Sequence, residues 1–443
     1  MPTIDGGRTY EVEVETVTDG DTVDVRFPDG EREEIRLIGV DTPETAANRR
    51  FERTQEWEGI DDPETLVTWG ERASAFARER LADATVTLSF DPSEPTRDEF
   101  GRLLCYLEYE DGDGASVFYN RELLATGHAR VYDSGVTTHD DFRRAERTAR
   151  DGDRGLWAAS DPTASEPIRD GPVDRLFVPR PASVRTATGR LSADRAPVSA
   201  ASTATQEPRE PGAVLYDAEP ADPDDEREAA TSDGRQVPLV GVDRTARVAV
   251  VGGLLVDERY EQNEGFAVDT SGFGQFTFLT NLLAWLAAPD RDGDVLVDGG
   301  HGQFGVDYAL SAEDVAYYRR FLEGQGIGLD QRNRLSTAYL AGGRALLVTT
   351  PVGPFGAGEY ERIRAFRDDG GAVVLLGDAT APAFTRQSLN DLAAALGSDL
   401  RLNADRVRDP ASNLAGDPTL PTTTAFDDDS PLFEAVDGAA ANE

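Results

Sequence analysis

The run Asp19-Gly20-Asp21-Thr22-Val23-Asp24-Val25-Arg26-Phe27-Pro28-Asp29-Gly30, then Glu34-Ile35-Arg36-Leu37-Ile38-Gly39-Val40-Asp41-Thr42-Pro43-Glu44, decides the fold of the first part of the chain. Alternation in Thr22 to Phe27 and in Glu34 to Val40 predicts two strands joined by a Pro/Asp/Gly turn. Such a hairpin brings Asp21 and Asp41 to the same end of the pair. Arg36 sits inside the second strand, where a charge is unexpected unless it faces a partner or ligand. Carboxylates, a threonine and a strand arginine at one sheet end suit a hard cation and a phosphate. Ca²⁺ takes carboxylate and carbonyl oxygens, and arginine grips phosphate with a planar fork.

Working outward, Tyr10 to Thr18 reads as a preceding strand, and Thr85 to Phe90 and Leu103 to Tyr109 as later ones. Gly70 to Leu81 places Ala73, Phe76, Ala77 and Leu81 on one helical face; Tyr119 to Gly127 and His139 to Arg150 read as two more helices. Trp157 is expected to close the core. Thr45 to Trp69 reads as a polar, Arg-rich, irregular loop directly after Glu44, either gating the substrate or a solvated insertion. The acidic turn Asp111-Gly112-Asp113-Gly114 is similar to the start of a calcium loop but lacks the full EF-hand pattern.

Three pieces in this order resemble the staphylococcal (thermonuclease-like) nuclease family. They are Asp19-Gly20-Asp21-Thr22, Arg36-Leu37-Ile38-Gly39-Val40-Asp41-Thr42-Pro43-Glu44 and Asp98-Glu99-Phe100-Gly101-Arg102. Gly127-His128-Ala129-Arg130-Val131 and Arg154-Gly155-Leu156-Trp157 add support. The resemblance covers about residues 8–158 and implies an OB-like β-barrel with three helices, an α+β domain acting as a Ca²⁺-dependent phosphodiesterase.

The chemistry is also arguable from the residues. Hydrolysing a phosphodiester needs an activated water, neutralised phosphate oxygens and a stabilised leaving group. Asp21 and Asp41 are the expected carboxylate ligands of the metal, with Thr42 adding a backbone carbonyl. Glu44 is placed to act as general base. Arg36 and Arg102 would clamp the phosphate and stabilise transition-state charge. Taken singly, the aspartates read as turn caps and the arginines as surface ion pairs; the set in register favours a site. Two departures stand out. The family's basic residue and tyrosine before the Gly-Arg pair are here Glu99 and Phe100. Its two base-stacking tyrosines align with Asp133 and Gly135, leaving Tyr132 as an adjacent substitute or a core residue. His128 and His139 read as surface or packing residues.

The 443 residues allow two or three domains. Formal net charge is −39, and all 44 basic residues are arginine. That balance, with ordinary aliphatic content, points to a halophile's protein built for molar salt, the alternative being a mesophilic acidic protein. At molar salt the Debye length is about 3 Å, so repulsion from nucleic acid fades. Counterion release fades with it, leaving short-range contacts to bind substrate. Cys105 is the only cysteine, so no intrachain disulfide forms. Met1 to Gly7 lacks a signal-peptide pattern, and no apolar run spans a bilayer. A cytoplasmic location without membrane partners is expected, unless a leader has been trimmed.

Residues 161–240 hold 11 of the 25 prolines and read as a linker, here bounded as 159–240. Leu176-Phe177-Val178 and Ala213-Val214-Leu215-Tyr216 are candidate strands within it. Residues 241–443 alternate strand and helix patterns, which predicts an α/β parallel sheet with helices on both faces. Strands are expected at Arg247 to Val256, Val295 to Val297, Ile327 to Leu329, Ala345 to Thr349 and Ala372 to Leu376. The Gly370-Gly371 turn and Gly377-Asp378 resemble the class I glutamine amidotransferase-like fold. The region has no cysteine, so amidotransferase chemistry is excluded. The early position of Arg247 to Ala288 suggests a circular permutation. Asp298-Gly299-Gly300-His301-Gly302-Gln303 and Pro351 to Gly356 follow strands, where ligands sit in such sheets; tight connections are the plainer reading. Asp298 and His301 alone do not make a metal site.

The combined expectation is a multidomain endonuclease hydrolysing DNA or RNA with Ca²⁺, joined to a noncatalytic α/β module with an unknown ligand or protein partner. Two alternatives are a scaffold whose nuclease-like barrel grips nucleic acid or protein without cutting, and a module that senses a ligand to regulate the nuclease.

Overall fold

Valines alternating with acids build the first part of the chain, and the strands they form close on themselves. In the computed structural model, which describes residues 4–216, 237–302, 306–427 and 430–436, the chain divides into units Met1–Ser165 and Glu166–Glu443. Strands of the first unit are β1 (Tyr10–Val17), β2 (Thr22–Arg26), β3 (Arg32–Leu37), β4 (Val40–Asp41), β5 (Thr85–Ser89), β6 (Leu103–Glu110), β7 (Ser116–Phe118) and β8 (Arg130–Val131). Helices are α1 (Pro63–Leu81), α2 (Tyr119–Ala125) and α3 (His139–Arg150).

The sheet order β3-β2-β1-β5-β6-β7, with β3 also paired to β6, closes five strands into an OB-like barrel. Val12, Val14, Val23, Val25, Ile35, Leu37, Leu88 and Leu107 point inward. A satellite core of Trp57, Ile60, Leu66, Ala149, Leu156 and Trp157 lies outside the barrel. Trp157 therefore closes this second cluster rather than the barrel itself. The expected irregular stretch Thr45 to Trp69 is also corrected. Its last part is helical, because Asp62 accepts from Glu64 N and Thr65 N and Pro63 starts the helix.

The second unit adds β9 (Leu176–Phe177), β10 (Val184–Thr186), β11 (Val198–Ser199), β12 (Thr205–Pro208), β13 (Pro238–Asp243) and β14 (Val248–Val251). Helix α4 (Gln275–Leu286), β15 (Asp294–Asp298), α5 (Ala316–Gly324), β16 (Leu329–Arg332), α6 (Thr337–Ala341) and β17 (Gly343–Thr349) follow. Then come α7 (Ala357–Asp368), β18 (Ala372–Leu376), α8 (Ala383–Ala395), β19 (Leu400–Leu402), β20 (Asp405–Arg408), β21 (Asn413–Leu414), β22 (Asp417–Thr423) and β23 (Ala425–Phe426).

The large sheet runs β16-β15-β17-β18-β14-β13-β11-β23. β16 to β14 are parallel, but β13, β11 and β23 add antiparallel neighbours. The expected parallel sheet is thus a mixed one. Helices cover both faces. Phe278, Leu282 and Phe321 pack on Val297, Leu347 and Val374, while Ile363, Phe366 and Leu389 pack on Leu346, Val348 and Val373. β14 lies inside this sheet, between β18 and β13.

The Pro-rich stretch is not a free linker over its described part. Its strands pair with the far end of the chain, β10 with β19, β12 with β20 and β9 with β22. Partners two hundred residues away leave no hairpin signal, and such short strands tolerate proline at their ends. Ala213 to Tyr216 is not a strand; Tyr216 is buried, its hydroxyl donating to Val184 O at 2.7 Å. Residues 217–236 of the expected linker, and Gln303, lie outside the described residues. No described helix is long and apolar enough to cross a membrane.

Candidate active site

The β2–β3 register sets Thr22 opposite Arg36, so Asp21 meets the Arg36 guanidinium. Asp21 also holds the strand through its carbonyl, which accepts from Leu37 N at 2.9 Å. Its buried carboxylate is crowded with donors. Arg36 Nη1 pairs with Oδ2. Thr42 donates to Oδ2 from N at 2.8 Å and from Oγ1 at 3.0 Å. Thr22 Oγ1 donates to Oδ1 at 3.1 Å. The other Arg36 nitrogen, Nη2, reaches Asp41 Oδ1 at 2.7 Å. One guanidinium therefore bridges the two carboxylates expected to hold a metal.

β4 and β8 pair Asp41 with Arg130, and Arg130 Nη2 lies 3.0 Å from Asp41 Oδ2 and 2.6 Å from Glu56 Oε2. Glu44 is fixed by its backbone. Its N–H donates to Glu52 Oε2 at 2.6 Å, and Trp57 Nε1 donates to Glu52 Oε1 at 2.7 Å. The buried Trp57 ring lies 6.2 Å from Trp157, so the loop after Glu44 is pegged to the satellite core. From the other side α1 presses on the same segment. A Cβ at Gly70 would lie 2.4 Å from Glu44 O and 2.5 Å from Pro43 O, an approach only glycine permits.

Burial first, then the charges of Asp41, Asp21 and Glu52, push Glu44 up to about 7, against the opposing pull of Arg36. Asp19 is likewise pushed up to about 7 by burial and then by Asp21. In both groups burial is the larger cause, and the neighbouring carboxylates add to it against Arg36.

Arg102 is joined to this cluster by no ion pair among the described residues. Its Nε donates to Asp98 Oδ2 at 2.7 Å, and its guanidinium sits 5.5 Å from the exposed Phe100 ring. It precedes Leu103, the register partner of Ile35, which keeps it one strand away from Arg36. Asp133 is fully buried and pairs with Arg143 and with His139 Nε2 at 2.8 Å. Tyr132 is exposed, so it is not a core residue. His128 and His139 are both packing residues. Arg130, Glu52, Glu56 and Asp19 carried no expected role. The only signal was that Asp19 and Arg130 lie inside the motif pieces.

The donor chemistry of the site fits a hard divalent cation. Asp21, Asp41 and Thr42 offer oxygen only, and Asp19 and Glu44 lie close enough to feel the charge of Asp21. Among the described residues no three His, Cys, Asp or Glu side chains are grouped so as to hold a metal ion. The Asp111–Gly114 turn is occupied internally, Asp111 Oδ1 accepting from Asp113 N and Ala115 N. In the second unit, Asp298 and His301 pair with each other at 2.7 Å, and His301 also faces Glu359 at 3.4 Å.

A closed OB-like barrel with a bridged carboxylate–arginine cluster at one end defines a nuclease-type domain. The staphylococcal nuclease homologue family matches residues 34–159. An uncharacterised protein of Methanocaldococcus jannaschii is 38% identical over 156 residues, 35% of this chain and 74% of that protein. Thermonuclease of Staphylococcus hyicus is 31% identical over 145 residues, 32% of this chain and 72% of that enzyme. Micrococcal nuclease of Shigella flexneri is 33% identical over 140 residues, 30% and 76% of the two chains. The chain belongs to the staphylococcal nuclease homologue family through its first unit.

Proposed function

We propose that the first unit is a Ca²⁺-dependent endonuclease that hydrolyses phosphodiester bonds of DNA, or of RNA, and that works at high salt. The observation that supports this best is Arg36, which bridges Asp21 and Asp41 with Glu44 electrostatically coupled to all three. Asp21, Asp41 and the Thr42 carbonyl would hold Ca²⁺. When bound, the cation would neutralise phosphate oxygens and orient a water. Glu44, held by Glu52 and by the close approach at Gly70, takes the proton of the attacking water. Arg36 offers its fork to the phosphate and stabilises the charge that builds there. Arg102 exchanges Asp98 for the same phosphate when substrate arrives. In this reading Glu52 and Trp57 position Glu44 without touching the substrate.

The second unit is proposed as a noncatalytic amidotransferase-like α/β module, with the cytoplasm of a halophile as the setting. The test is a nuclease assay in molar KCl, with Ca²⁺ or EDTA, comparing wild type with Glu44→Gln. Cleavage that needs Ca²⁺ and falls about 10²–10⁴-fold in the variant is expected. Binding of nucleic acid without cleavage under every condition would favour a scaffold.

A further inference from the structure

Strand β10 pairs antiparallel with β19, and the register sets Val184 opposite Leu402 and Arg185 opposite Arg401. Val184 and Leu402 face the core. Alternation turns Arg185 and Arg401 together onto the other face. Like charges directly opposite in a ladder are destabilising. This chain has 83 acidic residues against 44 basic ones, so an acid partner was cheap to supply.

Instead both arginines are held by carbonyls. Arg185 Nη1 donates to Thr186 O at 2.8 Å. Arg401 Nη1 donates to Ser398 O at 2.9 Å and Leu400 O at 2.6 Å. Arg185 Nε is buried and has no hydrogen-bond partner among the described residues. Burial and then the charges of Arg401 and Arg386 hold Arg185 below its ordinary range. Arg386 in turn lowers Arg209, after burial and Arg406. Arg386 is aimed by a two-pronged pair with Glu210 at 3.0 and 2.7 Å. Phe384, on the same first turn of α8, exposes 58% of its surface.

We infer that this face of the second unit, built on Arg185 and Arg401 and extended by Arg386 and Arg209, binds the phosphates of a single-stranded nucleic acid. Arg185 and Arg401, which make no carboxylate ion pair among the described residues, present forks that suit phosphate oxygens, while Arg386 would exchange Glu210 for one. The exposed Phe384 ring, carried by the same helix as Arg386, is free to stack an unpaired base, as in binders that track a strand. The arginine pair stands on its own geometry; nucleic acid as its occupant rests on the nuclease reading.

The experiment uses the full chain in EDTA, with a fluorescein-labelled single-stranded oligonucleotide followed by anisotropy over a salt series. Arg185→Gln/Arg401→Gln should weaken binding about tenfold or more, two charge-assisted contacts being lost. The slope of log affinity against log salt should become shallower by about 1.4, at about 0.7 per phosphate. The free variant should melt no lower than wild type, because a repulsion has been removed. Phe384→Ala, at an exposed site, should weaken the strand and not a duplex.

Unchanged affinity and slope in the double variant would overturn the proposal, as would a fall in melting temperature that accounts for the loss. An oligonucleotide that binds no better than inorganic phosphate overturns the nucleic-acid assignment. If wild type never cleaves yet the double variant still loses the strand, the nuclease reading fails and this site stands. If wild type cleaves and the double variant binds normally, the reverse holds.

Discussion

Arg36 Nη2 lies 2.7 Å from Asp41 Oδ1, while Nη1 of the same side chain pairs with Asp21. The arginine and a cation would thus compete for the same oxygens. Arg36→Gln should cut cleavage at least about 10²-fold, since a preorganised donor to the phosphate is lost. Calcium affinity should hold or tighten, because the carboxylates are released. Calorimetric Ca²⁺ titration beside a cleavage assay checks this; weakened calcium binding would mean that the arginine organises the ligands rather than rivals the ion.

Gly70 offers a test at a distance from the chemistry. A methyl group there would meet Glu44 O and Pro43 O at 2.4 and 2.5 Å. Backbone cannot yield as a side chain tip can, so Gly70→Ala should destabilise by about 1–3 kcal/mol. The displaced Glu44 should cost activity as well, up to about 10²-fold for a shift near 1 Å. Denaturant melts and kcat measured on the same samples separate the two effects. A stable variant with full activity would show that the 43–44 segment is not held by α1.

The barrel was legible because its cues are local. Val12, Val14, Val23 and Val25 alternate with acids, and Pro28-Asp29-Gly30 turns the chain, with Gly30 at φ +89°. Helix α3 was legible to its ends for the same reason. What escaped depends on tertiary contact. Nothing around Glu52 announces that it would bind both Glu44 N and Trp57 Nε1. Arg130 was visible only as part of a motif, its role set by pairing β8 with β4. In the second unit, β10 and β12 find partners beyond residue 399, so proline content outweighed strand signal; the candidate strand at Leu176-Phe177-Val178 is β9. The antiparallel β13 beside β14 was hidden because Pro238 to Val240 fell at the margin of the expected linker.

His128 gives the fold an acid limit. Its ring stacks 4.2 Å from that of Phe76 and lies near Trp69. Burial first, then Arg80 and Arg72, lower its pKa to about 4. The folded state therefore binds fewer protons than the unfolded one between about 6.5 and about 4. Stability from this residue is full above about 6.5 and declines as pH falls through that window. Urea melts of wild type and His128→Gln at several pH values should converge on acidification. Parallel curves would show that the imidazole does not titrate there.

Asp133, expected from the resemblance to align with a base-stacking tyrosine, is a buried anchor here. Arg143 Nη2 pairs with Oδ2, and His139 Nε2 lies 2.8 Å from Oδ1, with both His139 and Asp133 inaccessible. Removing the carboxylate leaves a guanidinium and an imidazole buried beside each other, so Asp133→Ala should cost about 3–5 kcal/mol. The pH signature has the opposite sign to that of His128. Burial alone would lower His139, but hydrogen bonds to Asp133 and Asp140 raise its pKa above the ordinary value. Its contribution is full below about 6.5 and is lost as pH rises through the raised value. Wild type should therefore lose stability on the alkaline side of that point, while Asp133→Asn, without the charged partner, should not. Guanidinium melts from neutral to mildly alkaline pH decide it, and identical slopes in the two proteins would remove His139 from the account.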